Sequence, residues 1–175
     1  KYTPIEYWPH IFDHLKKATN KGIICVAAAG NGDSNLDHPS YKDAFNLKKR
    51  DSGCIIVGAV AKNDRDRLNF SNYGSRLDAA AFGNKVVSAG YGDLFNAGPT
   101  RTYTKTFGGT SSATPMVAGA VAVVSSIAKE NGITISPKEM RDALRSSGSP
   151  QGKSSIKKRT GNVPSIQGLL ERFAL

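Results

Sequence analysis

A small hydroxyl side chain at the start of an apolar helix is the clearest candidate for chemistry in this sequence. Ser111 comes directly after the sequence Gly-Gly-Thr, and nearly every residue over 113–124 is small or apolar. Glycines let another backbone approach closely, and the first turn of a helix offers unpaired N–H groups and the positive end of its dipole. A serine there can act as a nucleophile while its own N–H faces a developing oxyanion. These residues alone leave open the alternative that Thr110 or Ser111 only caps the helix.

The elements predicted around this serine alternate between helices and short apolar strands. Apolar spacing and a Ser-Pro-Lys-Glu helix start predict helices over residues 5–20, 110–129, 137–147 and 165–173. Short apolar runs predict strands over residues 23–27, 54–60, 77–81 and 86–89, with a hairpin arm over 100–107. Because the first two strands are apolar on both faces, they belong inside a parallel sheet covered by helices. The helix over 110–129 is expected to be buried nearly all round.

Composition and charge are typical of one globular domain with a basic surface. The 175 residues are 39% hydrophobic, which is enough for a single core and unlike a disordered chain. The 24 Lys and Arg against 14 Asp and Glu give a net charge of +10. A positive charge of this size makes nucleic acids and acidic proteins candidate partners. The basic runs at 48–50 and 157–159 lie in polar loops without interleaved aromatic residues, so no nucleic-acid site is predicted. No apolar run approaches the roughly 18 residues of a membrane span and no signal peptide opens the chain, so no membrane contact is predicted.

The cysteines and histidines show no metal-site or disulfide-scaffold spacing. Cys25 and Cys54 both lie in apolar runs and are interpreted as buried thiols, with a disulfide between two neighbouring strands as the alternative. His10 and His14 are four residues apart on the first helix and could share a metal, but no third ligand is evident. A solvated helix face is the preferred interpretation, and no metal site is predicted.

The residues around Ser111 resemble the nucleophile motif of the subtilisin-like serine proteases, the subtilases. Residues 109–119 match G-T-S-x-A-T-P-x-V-A-G at all nine specified positions, which puts Ser111 at the nucleophile. The segment Val-Ala-Ala-Ala-Gly-Asn at 26–31 resembles the family's strand and turn with the oxyanion asparagine, so Asn31 takes that role. A neutral donor suits it, because an aspartate would repel the oxyanion. The resemblance also implies these substrate-binding residues: Ala28, Ala29, Gly30, Gly109 and Thr110.

The resemblance covers only the C-terminal part of the family's catalytic domain. Weaker similarity runs through residues 55–60, 70–74, 77–83 and 164–170, although Phe82 stands where many subtilases have proline. Subtilases carry their triad in the order Asp, His, Ser. The segments with the Asp and the His, and the Ser-x-Gly-Gly substrate strand, have no counterpart here, and no histidine has a His-Gly-Thr context. This chain would contribute the nucleophile and an oxyanion donor without the general base.

The resemblance implies an α/β fold, the subtilisin-like three-layer sandwich with a mostly parallel sheet, of which residues 1–175 form the C-terminal portion. It implies a serine endopeptidase, secreted or extracytoplasmic, that acts on polypeptides. The expected partner is an N-terminal segment of the same domain that carries the Asp and His, so this chain alone should be inactive and not a self-sufficient fold. No cofactor is required. Calcium is a candidate structural ion, but Asp78, near a weak cation site of some relatives, is one carboxylate only.

Three alternatives stay open, and one local geometry is expected. The chain could be a non-catalytic subtilase-like subunit or pseudoenzyme piece that acts as a binding module. It could instead belong to an acyl transferase or macrocyclase of the same family, or be a basic nucleic-acid binder. The loop after Asn31 resembles the family segment that carries a cis proline, which predicts a cis peptide at His38–Pro39.

Overall fold

The computed structural model describes residues 2–153 and 157–175, in which helices and strands alternate. The α-helices are α1 Pro9–Asn20, α2 Thr110–Glu130, α3 Pro137–Ser146 and α4 Ile166–Arg172, and short 3-10 helices lie at Ile5–Tyr7 and Pro39–Tyr41. The strands are β1 Val26–Ala28, β2 Ile55–Val60, β3 Ala79–Phe82, β4 Val86–Ala89, β5 Phe95–Asn96 and β6 Thr102–Phe107. The expected α/β class is confirmed.

A parallel sheet in the order β1-β2-β3 forms the centre of the molecule. Alternate residues of β2 point to opposite faces, and all six are buried. Ile55, Val57 and Ala59 belong to one hydrophobic cluster with α2, α3 and α4. Ile56 belongs to a second cluster with residues from α1 and the long loop after β1. The sheet therefore has packed layers on both faces, as the two apolar strand runs predicted.

The predicted first helix is interrupted at Trp8. The chain forms a 3-10 turn at Ile5–Tyr7, and Trp8 is extended, with φ −77° and ψ 125°, before α1 starts. Pro9 explains the break, because proline disfavours a helical conformation in the residue before it. β1 also starts later than predicted. The Ile23 N–H donates to Ala18 O at 3.1 Å, so this residue completes the end of α1 and is not part of the strand.

Helix α2 is buried on one face only, which differs from the predicted burial on nearly all sides. The buried apolar residues face the sheet and are Ala113, Val117, Val121, Val124 and Ala128. On the opposite face Met116 is 36% and Val123 44% exposed. With 21 residues α2 is also long and apolar enough to cross a membrane, contrary to the expectation that no segment would be. Its packing against the sheet identifies it as a core helix whose outer apolar face nothing in the described chain covers.

A second, antiparallel sheet precedes α2, with the order β4-β6-β5. Strand β6 ends at Phe107, which pairs with Val86, and only Gly108 and Gly109 separate it from α2. The sheet thus fixes the approach of the chain to the first turn of α2.

A buried ion cluster ties the N-terminal segment to the parallel sheet. The Arg76 guanidinium donates to both carboxylate oxygens of Glu6, at 2.6 and 2.9 Å, and to Asp78 Oδ2 at 2.6 Å. Asp78 Oδ1 accepts from Arg145 at 2.7 Å. Arg76 and Asp78 are fully buried and Glu6 is 2% exposed. Two carboxylates and two guanidinium groups therefore compensate one another in the interior.

Both cysteines are free thiols. Cys25 is partly buried and Cys54 is buried, each next to a paired strand. Burial raises the pKa of the Cys25 and Cys54 thiols above the ordinary value, well above it for Cys54. The interpretation as thiols is confirmed for the structure, and such thiols are poor nucleophiles.

Candidate active site

Two glycines let the chain turn sharply into the first turn of α2. Gly109 has φ +90°, a conformation that other residues adopt at a cost, and a Cβ atom there would lie 3.0 Å from Asn31 Nδ2. A Cβ at Gly108 would lie 2.9 Å from Gly83 O. The Gly109 N–H donates to the same carbonyl at 2.8 Å, which fastens the turn to the end of β3.

Ser111 is exposed in the first turn of α2, where N–H groups have no partner within the helix. Among the described residues, no hydrogen bond involves its Oγ atom. The next serine differs: Ser112 is buried, and its hydroxyl lies 3.0 Å from both Phe82 O and Gly109 O. Ser112 holds the turn together, whereas the hydroxyl of Ser111 is available to a base and a substrate.

The Asn31 side chain is oriented by Thr110, although 79 positions separate them. Asn31 Oδ1 accepts from the Thr110 backbone N–H and from its hydroxyl, both at 2.9 Å. A backbone N–H can only donate, so the amide atom that faces it must be the oxygen. The Nδ2 group of Asn31 is thereby left beside Gly109 as the outward donor. The Gly30 N–H donates to Thr110 Oγ1 at 3.2 Å and joins the two segments again.

The other predicted substrate-binding residues lie at the same carboxyl edge of the parallel sheet. Ala28 ends β1, and the Ala29 N–H extends the pairing by donating to Val57 O at 2.8 Å. Gly30 has φ +94°, and a Cβ there would lie only 2.4 Å from Tyr2 O. Glycine is therefore required where the N-terminal segment crosses the end of β1. The structure brings Ala28, Ala29 and Gly30 together with Asn31 and the start of α2.

Asn72 is the residue at this site that sequence reasoning missed. Its side chain is fully buried and makes four hydrogen bonds, two donated and two accepted, all to backbone groups. Three of these bonds go to the segment around Asn31. The resemblance of residues 70–74 to a family turn predicted a turn there. It did not predict that Asn72 would contact the segment around Asn31.

None of the three histidines, all in the described part of the chain, forms a hydrogen bond with Ser111. His10 and His14 are exposed on α1, where His14 Nδ1 lies 2.6 Å from His10 O. His38 Nδ1 lies 2.9 Å from Ser40 Oγ. The solvated-face interpretation of the first pair is consistent with this placement. The predicted cis peptide at His38–Pro39 is wrong: the bond is trans. His38 is the N-cap of the Pro39–Tyr41 turn, and an extended residue before a first-position proline suits the trans form.

Asp78 is not available to a cation. Oδ2 accepts from Arg76 at 2.6 Å and from the Ile56 N–H at 2.8 Å, while Oδ1 accepts from Arg145. In the described part of the chain, no three His, Cys, Asp or Glu side chains cluster as metal ligands would. A structural calcium ion, if the protein holds one, needs ligands other than Asp78.

Comparison with known proteins gives one consistent family. A family model for the subtilase family (peptidase S8) matches residues 5–167. The extracellular basic protease of Dichelobacter nodosus is 35% identical over 130 residues, which are 74% of this chain and 20% of that protein. Subtilisin BL of Lederbergia lenta is 34% identical over 143 residues, which are 81% of this chain and 45% of that protein.

A solved structure agrees. The crystal structure of a cold-adapted subtilisin-like serine proteinase superposes with a TM-score of 0.60 at 30% identity and covers 85% of this chain and 46% of that one. The present chain thus spans less than half the length of these three proteins.

Proposed function

The chain belongs to the subtilase family, and on that premise we propose that it forms the nucleophile-bearing part of a serine endopeptidase. The observation that carries the proposal is the contact between Asn31 and Thr110. It holds an amide donor beside the turn that presents an unbonded serine hydroxyl. A structural serine cap would need neither feature.

In the proposed reaction, Ser111 Oγ attacks the carbonyl carbon of the scissile peptide bond and gives its proton to a histidine. The carbonyl oxygen becomes negative in the tetrahedral intermediate. Asn31 Nδ2 and the Ser111 N–H donate to it there, more strongly than to the ground-state carbonyl. The C–N bond then breaks, the leaving amine takes the proton from the histidine, and water hydrolyses the acyl-serine ester. Ala28 and Gly30 would line the pocket for the side chain before the scissile bond, with Gly109 and Thr110 beside the carbonyl. Ala29, predicted as a third lining residue, is fully buried in the second hydrophobic cluster and would support that wall from behind.

The histidine and its orienting aspartate would come from an N-terminal segment of the same domain. Two features support such a partner. Within the described chain, β1 pairs with β2 alone, so its outer edge has free N–H and C=O groups. The outer face of α2 also exposes Met116 and Val123. A segment that adds strands beside β1 and covers α2 would satisfy both. We call this chain together with that segment, in one polypeptide or two, the assembled enzyme.

The compartment and the substrate class of the enzyme are proposed in general terms only. Two relatives are described as extracellular and one as intracellular, so the balance favours a secreted or extracytoplasmic enzyme. The substrate would be a polypeptide, and the reaction needs no organic cofactor, because the serine and the triad partners carry every step. Calcium stays a proposal for a structural ion.

Covalent labelling of the assembled enzyme tests the proposal. A fluorophosphonate should add one equivalent to the protein at Ser111, and Ser111→Ala should abolish both labelling and peptide hydrolysis. Ser126→Ala is the matched control, because Ser126 is an exposed serine on the same helix and should leave both unchanged. An assembled protein that binds peptide but neither labels nor hydrolyses would establish the alternative, a non-catalytic binding subunit.

A further inference from the structure

The segment that contains Asn31 is held by hydrogen bonds on two sides. We call residues 29–34 the oxyanion loop. Thr110 holds its outer side through the Asn31 and Gly30 bonds described above. On the inner side, Asn72 contacts the loop at four backbone positions. We propose that Asn72 is a positioning residue that acts through Asn31, an inference that rests on the proposed function.

The Asn72 amide uses its full hydrogen-bonding capacity. Nδ2 donates to Ala29 O at 2.7 Å and to Tyr2 O at 2.6 Å. Oδ1 accepts from the Gly32 N–H at 3.1 Å and the Ser34 N–H at 2.9 Å. In addition, the Asn72 backbone N–H donates to Gly30 O at 3.0 Å. The side chain is fully buried, so water cannot replace these bonds without rearrangement.

Only an uncharged amide of this length serves all four partners. It offers two N–H donors and an oxygen with two acceptor sites in one plane. An aspartate at position 72 would keep the acceptors for Gly32 and Ser34, but it would face the carbonyls of Ala29 and Tyr2 with a negative oxygen. A serine could neither span the loop nor make four bonds.

Asn72 is itself fastened to the sheet. Ser71 Oγ accepts from the Ala59 N–H in β2 and donates to Asn72 O, both at 3.0 Å. Ser71 is fully buried as well. A continuous chain of bonds therefore leads from β2 through Ser71 and Asn72 to the oxyanion loop. It sets the position of Asn31 against the rigid centre of the fold.

The consequence concerns the transition state more than the substrate. A displaced Asn31 donor costs little in ground-state binding, since the amide bonds best to the oxyanion. A misplacement of about 1 Å in such a donor can cost roughly 10²-fold in rate. Asn72→Ala in the assembled enzyme should therefore lower kcat roughly 10- to 100-fold and raise KM by a much smaller factor, since Gly30 of the same loop borders the substrate pocket.

The control must separate positioning from general destabilisation. Met140 is fully buried in the cluster around α3 and has no part in the loop. Met140→Ala should lose stability comparably while its kcat stays near that of the wild type. If kcat falls as far in Met140→Ala as in Asn72→Ala, the positioning role is wrong.

A double-mutant cycle tests the route through Asn31. In an Asn31→Leu background, Asn72→Ala should lower kcat by less than about threefold, because the donor it positions is gone. If Asn72→Ala lowers kcat by the same factor in the Asn31→Leu background as in the wild type, the inference is wrong. Should Asn72→Ala not fold, Asn72→Asp takes its place in the cycle with the same expected outcomes.

Hydrogen exchange gives a readout that is independent of activity. The Gly32 and Ser34 amides should exchange at least tenfold faster in Asn72→Ala than in the wild type, and by a smaller factor in Asn31→Leu, which loses only the contact with Thr110. Unchanged exchange would refute the anchoring. The two proposals can fail separately. If the wild-type assembled enzyme does not label at Ser111, but the Gly32 and Ser34 amides still exchange faster in Asn72→Ala, the proposed function is wrong and the anchoring by Asn72 is correct.

Discussion

Replacing Arg76 by methionine should destabilise the protein more than any exposed ion-pair substitution. The guanidinium makes four hydrogen bonds without any exposed surface: two to Glu6, one to Asp78 and one to Cys54 O at 2.8 Å. Methionine fills much of the same volume, so the effect would come from the lost charge and hydrogen bonds and not from a large cavity.

The expected loss of unfolding free energy follows from the partners that each carboxylate keeps after Arg76 is replaced. Asp78 retains Arg145 at 2.7 Å and the Ile56 N–H at 2.8 Å. Within residues 2–153 and 157–175, Glu6 retains only the hydroxyl of Ser52 at 2.5 Å and becomes a buried charge without a cation. Leaving one buried carboxylate uncompensated costs about 3–5 kcal/mol of unfolding free energy. Glu6→Gln in the Arg76→Met background removes that charge and should restore a large part of the loss.

Urea unfolding of the assembled enzyme at pH 7 measures these differences. The exposed pair Lys138–Asp142, with side chains 73% and 48% exposed, supplies the control. Lys138→Met should cost less than about 0.5 kcal/mol. The reasoning fails if Arg76→Met costs less than about 1 kcal/mol, or if the double variant is no more stable than Arg76→Met alone.

Three further outcomes are expected. Asn31→Leu should lower kcat of the assembled enzyme roughly 10²–10³-fold at nearly constant KM, a magnitude carried over from the oxyanion donor of subtilisin; steady-state kinetics on a peptide substrate measures it, and an unchanged kcat refutes the donor role. Burial alone would raise the pKa of Asp51, but bonds from Arg141 and the Gly53 N–H lower it to about 2. The folded-state pKa is thus depressed, so the stabilisation is present above the unfolded pKa and is lost as the pH falls through about 2. The Asp51 side chain is 36% exposed, so screening reduces the contribution to about 1 kcal/mol. Thermal melts should show Asp51→Asn less stable than wild type at pH 5, with most of the difference gone near pH 2, and a pH-independent difference would contradict this. Finally, Val123→Asp should weaken association with the separately supplied N-terminal segment at least about tenfold, as measured by titration, because it puts a charge on the outer face of α2. Ile133→Asp, at an exposed residue beyond the end of α2, should not, and equal effects would argue against that face as the contact surface.

Local signals in the sequence predicted several elements correctly. The Ser-Pro-Lys-Glu start of α3 forms the expected capping box, in which Ser136 and Glu139 bond each other's backbone N–H groups. The apolar run that became β2 is buried at every position. The break at Trp8 was also readable in principle, because Pro9 acts on its immediate neighbour. Such features depend on residues within about one helical turn, so a linear reading contains their causes.

The extent of burial around α2 could not be read from its composition. An apolar helix predicts an apolar environment, but which face is covered depends on what packs there. The same limit applies to Asp78, whose single carboxylate suggested a cation site. In the fold, Arg76 and Arg145 neutralise it, and Arg145 lies 67 positions away in the sequence.

The sequence alone determined the family, the α/β class and Ser111 as the candidate nucleophile, because these follow from contiguous motifs and apolar runs. The tertiary structure decided how the site is held. The Asn31 amide is turned by Thr110, 79 positions away, and its loop is anchored by Asn72, whose side chain reaches Tyr2 across 70 positions and Ala29 across 43. Buried amides must find hydrogen-bond partners, but their identity depends on which loops the strand order brings to one edge of the sheet. Hydropathy and local spacing carry no record of that order.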